Sequence, residues 1–208
     1  MKQVEKEHYK FDRYMSMYRW SSLWYQLKEV LKDDVQSLLE VGPGSGLMGL
    51  ISSFYKVSYC SVDIAADLEP TYVGNLVDLT DVVGQFDCVV AFQVFEHMPY
   101  DESLKLLRTM ANHARLKIII SVPNLVTEYS ITIILPRRKK IRIPLRKINF
   151  FRKEFRFNGE HYWELGCKEV PYSRFVKDVS SIKGIDLIRD FRVDENPYHH
   201  FFVFEVVK

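Results

Sequence analysis

Residues 40–46 read Glu40-Val41-Gly42-Pro43-Gly44-Ser45-Gly46 and join two stretches of different character. Ahead of them, Ser37–Val41 has the apolar composition of a short buried strand. Behind them, the pattern predicts a helix running to about Tyr55. Glycines at 42, 44 and 46 let the backbone turn sharply and approach a ligand with no side chain between, while the helix start offers free N–H groups. A strand, a glycine turn and a helix in this order open a nucleotide-binding α/β sheet, whose ligands lie beyond the carboxyl ends of the strands.

The rest of the chain keeps that rhythm. Strands are predicted over 57–64, near 72–76, over Phe86–Phe92 and over 117–122, with a helix over 101–114; this is the βαβ alternation of a mostly parallel sheet with helices on both faces. Aromatic and apolar residues between Tyr9 and Leu31 recur at three- and four-residue steps, so one or two amphipathic helices precede the sheet. After Pro123 and Asn124 the rhythm stops for about 45 residues, longer than an ordinary connection and therefore expected to be functional. A helix over 173–181 and two strands, over 186–193 and 200–207, close the pattern as an antiparallel pair. A single domain over residues 1–208 is expected, with helices in 1–34 and a basic and aromatic insertion over 125–165.

With 208 residues and 47% hydrophobic content, the chain is long enough for one sizeable core. Residues 1–8 lack the apolar core of a secretory signal. The longest apolar stretch, 118–135, is interrupted by Pro123, Asn124 and Glu128, which suits a strand followed by a loop rather than a membrane span. Cys60, Cys88 and Cys167 give neither an even disulfide set nor paired zinc ligands, and reduced thiols in a cytoplasmic protein follow. The net charge of +2 hides an asymmetry, since residues 136–157 carry ten basic side chains against Glu154 alone, a local +9 that leaves −7 for the remainder.

The glycine run by itself fits more than one nucleotide-like cofactor. A G-x-G-x-x-G dinucleotide loop would need glycine at position 47, which is Leu47. Asp63 ends the second predicted strand, where a carboxylate can accept hydrogen bonds from both hydroxyls of a ribose, or else cap a helix. Further along, Phe86-Asp87-Cys88-Val89-Val90-Ala91-Phe92-Gln93-Val94-Phe95-Glu96-His97-Met98-Pro99 resembles the pattern F-D-x-V-x-x-x-x-V-L-E-H-x-P, with Phe95 in place of its leucine.

That segment resembles the fourth-strand signature of small-molecule class I methyltransferases, and the resemblance runs over nearly the whole chain. It implies a Rossmann-like seven-stranded sheet with the last strand antiparallel, and S-adenosylmethionine as cofactor. Glu40, Gly42, Pro43, Gly44 and Gly46 would then lie at the methionine part, with Asp63 holding the ribose and Ile64 packing on the adenine. The family usually ends its third strand with Gly-Asp-Ala, where this chain has Gly74-Asn75-Leu76. Asn75 can accept the adenine amino group through its carbonyl oxygen; Asp78 is the alternative. Phe92 and Gln93 would line the cofactor near the sulfonium.

Methyl transfer from a sulfonium is an in-line displacement, so positioning supplies much of the rate. An oxygen or nitrogen acceptor must also lose a proton, and His97, which follows the fourth strand, is the first candidate base. His161, within the polar and aromatic run 158–164, is the second. Tyr14, Tyr18 and Arg19 are candidates to close over the cofactor, with Arg19 reaching its carboxylate. His199 and His200 are adjacent in a predicted strand and face opposite ways, so no metal site is expected there or elsewhere. The basic insertion suits an anionic acceptor such as a phosphorylated or carboxylated sugar or a lipid-linked saccharide. With Phe150, Phe151, Phe155 and Phe157 interleaved, it also suits peripheral contact with an anionic membrane, and nucleic acid is a further anionic partner. The rival readings are a nicotinamide oxidoreductase and a non-catalytic protein that keeps the fold and binds through residues 137–156.

Overall fold

The protein is described here by a computed structural model covering residues 6–32, 35–79, 83–126, 128–136, 140–146 and 154–207. Helices α1 (Phe11–Tyr14) and α2 (Met17–Val30) precede the sheet, and the Ser16 hydroxyl accepts the Arg19 N–H as the N-cap of α2. Strand β1 (Ser37–Val41) leads through the glycine run into α3 (Leu47–Phe54), followed by β2 (Ser58–Asp63) and the short β3 (Tyr72–Val73). Then come β4 (Phe86–Phe92), α4 (Tyr100–His113) and β5 (Ala114–Pro123).

Beyond β5, the interval where the strand–helix rhythm stops contains a hairpin of β6 (Glu128–Ile134) and β7 (Lys140–Arg146). This corrects the reading of 118–135 as a strand followed by a loop. Its signal is period two: Ile131 and Ile133 face Ile143 and Ile141 across the ladder, and the isoleucines of β7 alternate in sequence with basic residues. Arg137, Arg138, Lys139, Lys147, Phe150, Phe151, Arg152 and Lys153 lie outside the described residues. Helix α5 (Tyr172–Ser180), β8 (Ile185–Arg192) and β9 (His199–Val206) complete the chain.

The seven-stranded sheet has the order β3-β2-β1-β4-β5-β9-β8. The five strands from β3 to β5 are mutually parallel, and β9 runs antiparallel between β5 and β8. This is the Rossmann-like architecture read from the sequence, with its last strand reversed. Alternation along the central strands feeds two cores. Val89, Ala91, Ile118 and Ile120 pack towards Leu107 and Met110 of α4 and Phe175 of α5; Cys88, Val90, Phe92 and Ile119 pack with Leu23 and Val30 of α2 and Met48 of α3. A strand covered on both faces has no place for polar side chains except at its ends.

Both ends are used. At the amino end, Asp87 accepts the N–H groups of Gln36 (2.9 Å) and Ser37 (3.0 Å) and the Arg115 guanidinium (3.0 Å). The Ser37 hydroxyl oxygen accepts from the Asp87 N–H (2.9 Å), so the starts of β1, β4 and β5 are tied by one carboxylate. Partial burial would raise the Asp87 pKa, but the Gln36 N–H and Arg115 outweigh it and hold the carboxyl below its usual range. Buried Lys117 donates to the carbonyls of Glu29 (2.8 Å) and Lys32 (3.0 Å), fastening the carboxyl end of α2 to β5.

Replacement of Asp87 by Ala therefore costs about 1–3 kcal/mol of stability at pH 7. Since the folded pKa is depressed, the stabilisation is complete above the unfolded value of about 4 and fades as pH falls through the folded one. Denaturant unfolding of both proteins at several pH values reads this out: the gap closes in acid, and a gap independent of pH contradicts the assignment.

Candidate active site at the carboxyl edge of the sheet

At the opposite end of the strands a cavity of about 710 Å3 opens, within the range of cofactor and small-molecule sites. The glycine run forms its floor. The Gly42 N–H donates to the Val62 carbonyl (2.9 Å) and the Gly46 N–H to that of Pro43 (2.9 Å), which fixes the turn between β1 and α3. Gly42 has φ +72°, and a Cβ there would stand 2.6 Å from Val94 Cγ2. Gly44 has φ +51°, with the Tyr9 ring 3.1 Å from where its Cβ would be. Both positions favour glycine for backbone angle, and at Gly42 the space excludes a Cβ as well.

One wall follows the ends of β2 and β3 and includes Asp63, Ile64, Asn75 and Leu76. Asp63 Oδ1 accepts the Ala65 N–H (2.8 Å), and Asn75 Oδ1 accepts the Val77 N–H (3.1 Å), so each side chain is oriented by a turn of its own backbone. Ile64 is half exposed, an apolar surface offered to the cavity. Of the two alternatives beyond β3, Asn75 lines the cavity and Asp78 does not. Glu40, Pro43 and Gly46 also stand outside the lining. Glu40 lies buried, bonded by the Tyr59 hydroxyl (2.6 Å); burial raises its pKa to about 8, although the Tyr59 bond works against the shift. Tyr14, Tyr18 and Arg19 come over the floor from the N-terminal helices, Arg19 lying 4.1 Å above the Tyr14 ring and bonded to its carbonyl (2.7 Å).

The other wall begins at the end of β4. Gln93 adopts φ +56°, unusual for a residue with a side chain, and is held by a backbone bond to the Ser121 carbonyl (2.9 Å) and a side-chain bond to the Ser121 hydroxyl (3.0 Å). The tight turn Phe95–His97 then presents Glu96 and His97. His161 joins them from the far side of the insertion, because the Tyr162 N–H donates to the Glu96 carbonyl (2.7 Å) and the Leu165 N–H to that of Pro123 (2.9 Å). The two imidazoles meet edge to face, 5.0 Å between centroids. Burial raises the Glu96 pKa to about 8 and lowers that of His97; His161 would also be lowered by burial, but the Glu164 bond and nearby carboxylates raise it instead.

The family model described as a methyltransferase domain matches residues 11–168. The chain belongs to that family. No curated protein matches it in sequence. Among solved structures, the small RNA methyltransferase HEN1 superposes with a TM-score of 0.62 at 17% identity, over 91% of this chain and 25% of that one, so this chain spans about a quarter of that protein. An S-adenosylmethionine-dependent methyltransferase from Clostridium acetobutylicum superposes with a TM-score of 0.60 at 8% identity, covering 97% and 96%. The magnesium protoporphyrin IX methyltransferase of Synechocystis PCC 6803, solved with S-adenosylhomocysteine, gives 0.57 at 12% identity, covering 91% and 83%. These identities establish a shared fold.

The cavity of the methyltransferase suits S-adenosylmethionine. The glycine floor leaves room that any Cβ would fill, and a carboxylate and an apolar side chain stand together at the end of β2. Sequence reasoning missed Tyr9, Glu96, Asn196, Tyr198 and His199, which also line the cavity of the methyltransferase. Glu96 lies inside the motif but was given no role. The other late residues arrive because β9 is antiparallel and starts where β5 ends, with His199 opposite Pro123. His199 is nearly buried, which lowers its pKa to about 4 and keeps it neutral. Among the described residues, no helix is long and apolar enough to cross a membrane.

Replacement of Gly42 by Ala is expected to destabilise the methyltransferase by more than the cost of a strained backbone, about 1–3 kcal/mol, because the added Cβ also meets Val94. Gly46 has a similar φ of +73° but nothing within 4 Å of its Cβ position, so Gly46→Ala costs less. Thermal melts of the two variants, and of Gly42→Ala combined with Val94→Ala, check this. Equal losses, with no recovery in the double variant, contradict the close approach.

Proposed function

We propose that the protein methylates a small-molecule or saccharide acceptor of anionic character, and that the acceptor stands between Gln93 and the pair His97 and His161. The carrying observation is that one cavity joins the wall of Asp63, Ile64, Asn75 and Leu76 to these two imidazoles, passing the glycine floor and Phe92. In this reading Asp63 accepts the ribose hydroxyls, Ile64 packs on the adenine and Asn75 accepts its amino group. The backbone of Gly42 and Gly44 receives the methionine part, with Glu40, Pro43 and Gly46 supporting the turn from behind. In the same reading Arg19 reaches the cofactor's carboxylate.

Displacement at the methyl carbon then depends on holding the acceptor in line, and the residues of the far wall do that. His97 and His161 are the groups that meet the acceptor's reacting atom, and they deal with its proton. Support for an anionic acceptor comes from charge: the +9 segment, residues 136–157, belongs in sequence to the connection that follows β5, and the carboxyl end of β5 lies on the edge that carries the cavity. A second reading of the hairpin, as a contact with an anionic membrane, is favoured by the exposure of Ile131, Ile133, Ile141 and Ile143.

Calorimetry with S-adenosylmethionine, S-adenosylhomocysteine and NAD tests the reading. Both sulfur cofactors are expected to bind and NAD not to. Asp63→Ala is expected to weaken S-adenosylhomocysteine about tenfold or more, the loss of one to two charge-assisted hydrogen bonds. An unchanged affinity in that variant would remove the ribose from Asp63, and binding of NAD alone would overturn the cofactor wall.

A further inference from the structure

We propose that Glu96, His97 and His161 form a divalent-cation site, and that the ion bears the acceptor's oxygen beside the methyl group. One ligand atom from each of the three lies within 4.8 Å of the others. Two imidazoles and one carboxylate on one side of an ion form a facial triad, a set that leaves three positions of an octahedron open.

Three further observations point to a ligand rather than to a packed polar cluster. Glu96 is 1% exposed, and its Oε2 has no hydrogen-bond partner among the described residues. A buried carboxylate oxygen without a donor costs free energy that an ion would return. Next, both imidazoles are oriented through Nδ1. That of His97 donates to the Glu160 carbonyl (3.1 Å), and that of His161 donates to Glu164 Oε1 (2.8 Å). Each bond fixes the tautomer whose Nε2 carries the lone pair, the outer-shell arrangement usual for metal-bound histidine. Finally, Glu164 is itself buried and positioned, since Oε1 also accepts the Tyr198 hydroxyl (2.7 Å). The members of this set lie on two sides of a long insertion, so no short ligand spacing marks them in the sequence.

The mixed nitrogen and oxygen donors suit a first-row divalent ion such as Mn2+. The consequence for chemistry rests on the proposed acceptor position. An ion held there lowers the pKa of a bound hydroxyl, whose proton passes to solvent. The resulting oxyanion attacks the methyl carbon as the carbon–sulfur bond breaks, giving a methyl ether, S-adenosylhomocysteine and one released proton. The acceptor is then a hydroxyl compound, and the two histidines act on its proton through the ion.

The test uses the full chain stripped with EDTA and titrated with Mn2+ alone, followed by the loss of the free-ion EPR signal. One Mn2+ per chain is expected, with binding weakened at least tenfold by Glu96→Gln and by His161→Ala. Glu164→Gln, which alters only the outer shell, is expected to weaken it by about 10–100-fold. In wild-type protein, substoichiometric Mn2+ should broaden the imidazole signals of His97 and His161 before that of His113, a readout that needs no variant. Absence of binding, or binding that Glu96→Gln and His161→Ala leave unchanged and that broadens other histidines first, overturns the site. No cofactor or acceptor enters these measurements, so their failure leaves the S-adenosylmethionine wall standing, and failure of that wall leaves the ion site standing.

Discussion

The central strands β1, β4 and β5 are buried on both faces, and the rest of the structure follows from that constraint. Apolar side chains fill the two cores above and below, so a polar group can enter only where a strand begins or ends. Because the strands from β3 to β5 are parallel, their carboxyl ends share one edge, and their turns together make a single concave surface. The amino ends need a different solution. There Asp87 ties three strand starts together, and Lys117 secures α2. The motif Phe86-Asp87 thus secures the sheet at one end, and Glu96-His97 furnishes the cavity at the other.

Much of this was legible in the sequence for local reasons. The glycine run announces its turn because three positive backbone angles within five residues are open to little else. Strand burial shows in continuous apolar runs, and the reversal of the last strand shows in the short link before it. The wall of Asp63, Ile64 and Asn75 was also accessible, since Asp63 ends β2 and the other two follow β2 and β3 at short offsets. A solvated basic hairpin was one reading of the insertion, but its first strand was hidden because Pro123, Asn124 and Glu128 interrupt the apolar run before it.

The meeting of Glu96 with His161 had no local signal at all. It depends on backbone bonds that return the chain, after the insertion, to the carbonyls of Glu96 and Pro123. A sequence reader sees two polar clusters far apart in the chain, and only the closed path of the chain makes them one site. The same holds for Tyr198 and His199, which reach the cavity through the antiparallel pairing of β9. Buried Trp163, packed against Tyr100 and Phe175, anchors the returning segment from below, so residues 158–164 serve the core and the cavity together.

The central claim is that the cofactor lies along the carboxyl edge with its sulfur turned towards Glu96, His97 and His161. A crystal structure of the protein with S-adenosylhomocysteine tests it most directly. The account predicts the ribose hydroxyls on Asp63, the homocysteine part over Gly42 and Gly44, and the sulfur between Phe92 and the two imidazoles. A cofactor bound with its sulfur directed away from the imidazoles, or seated outside this cavity, would contradict it.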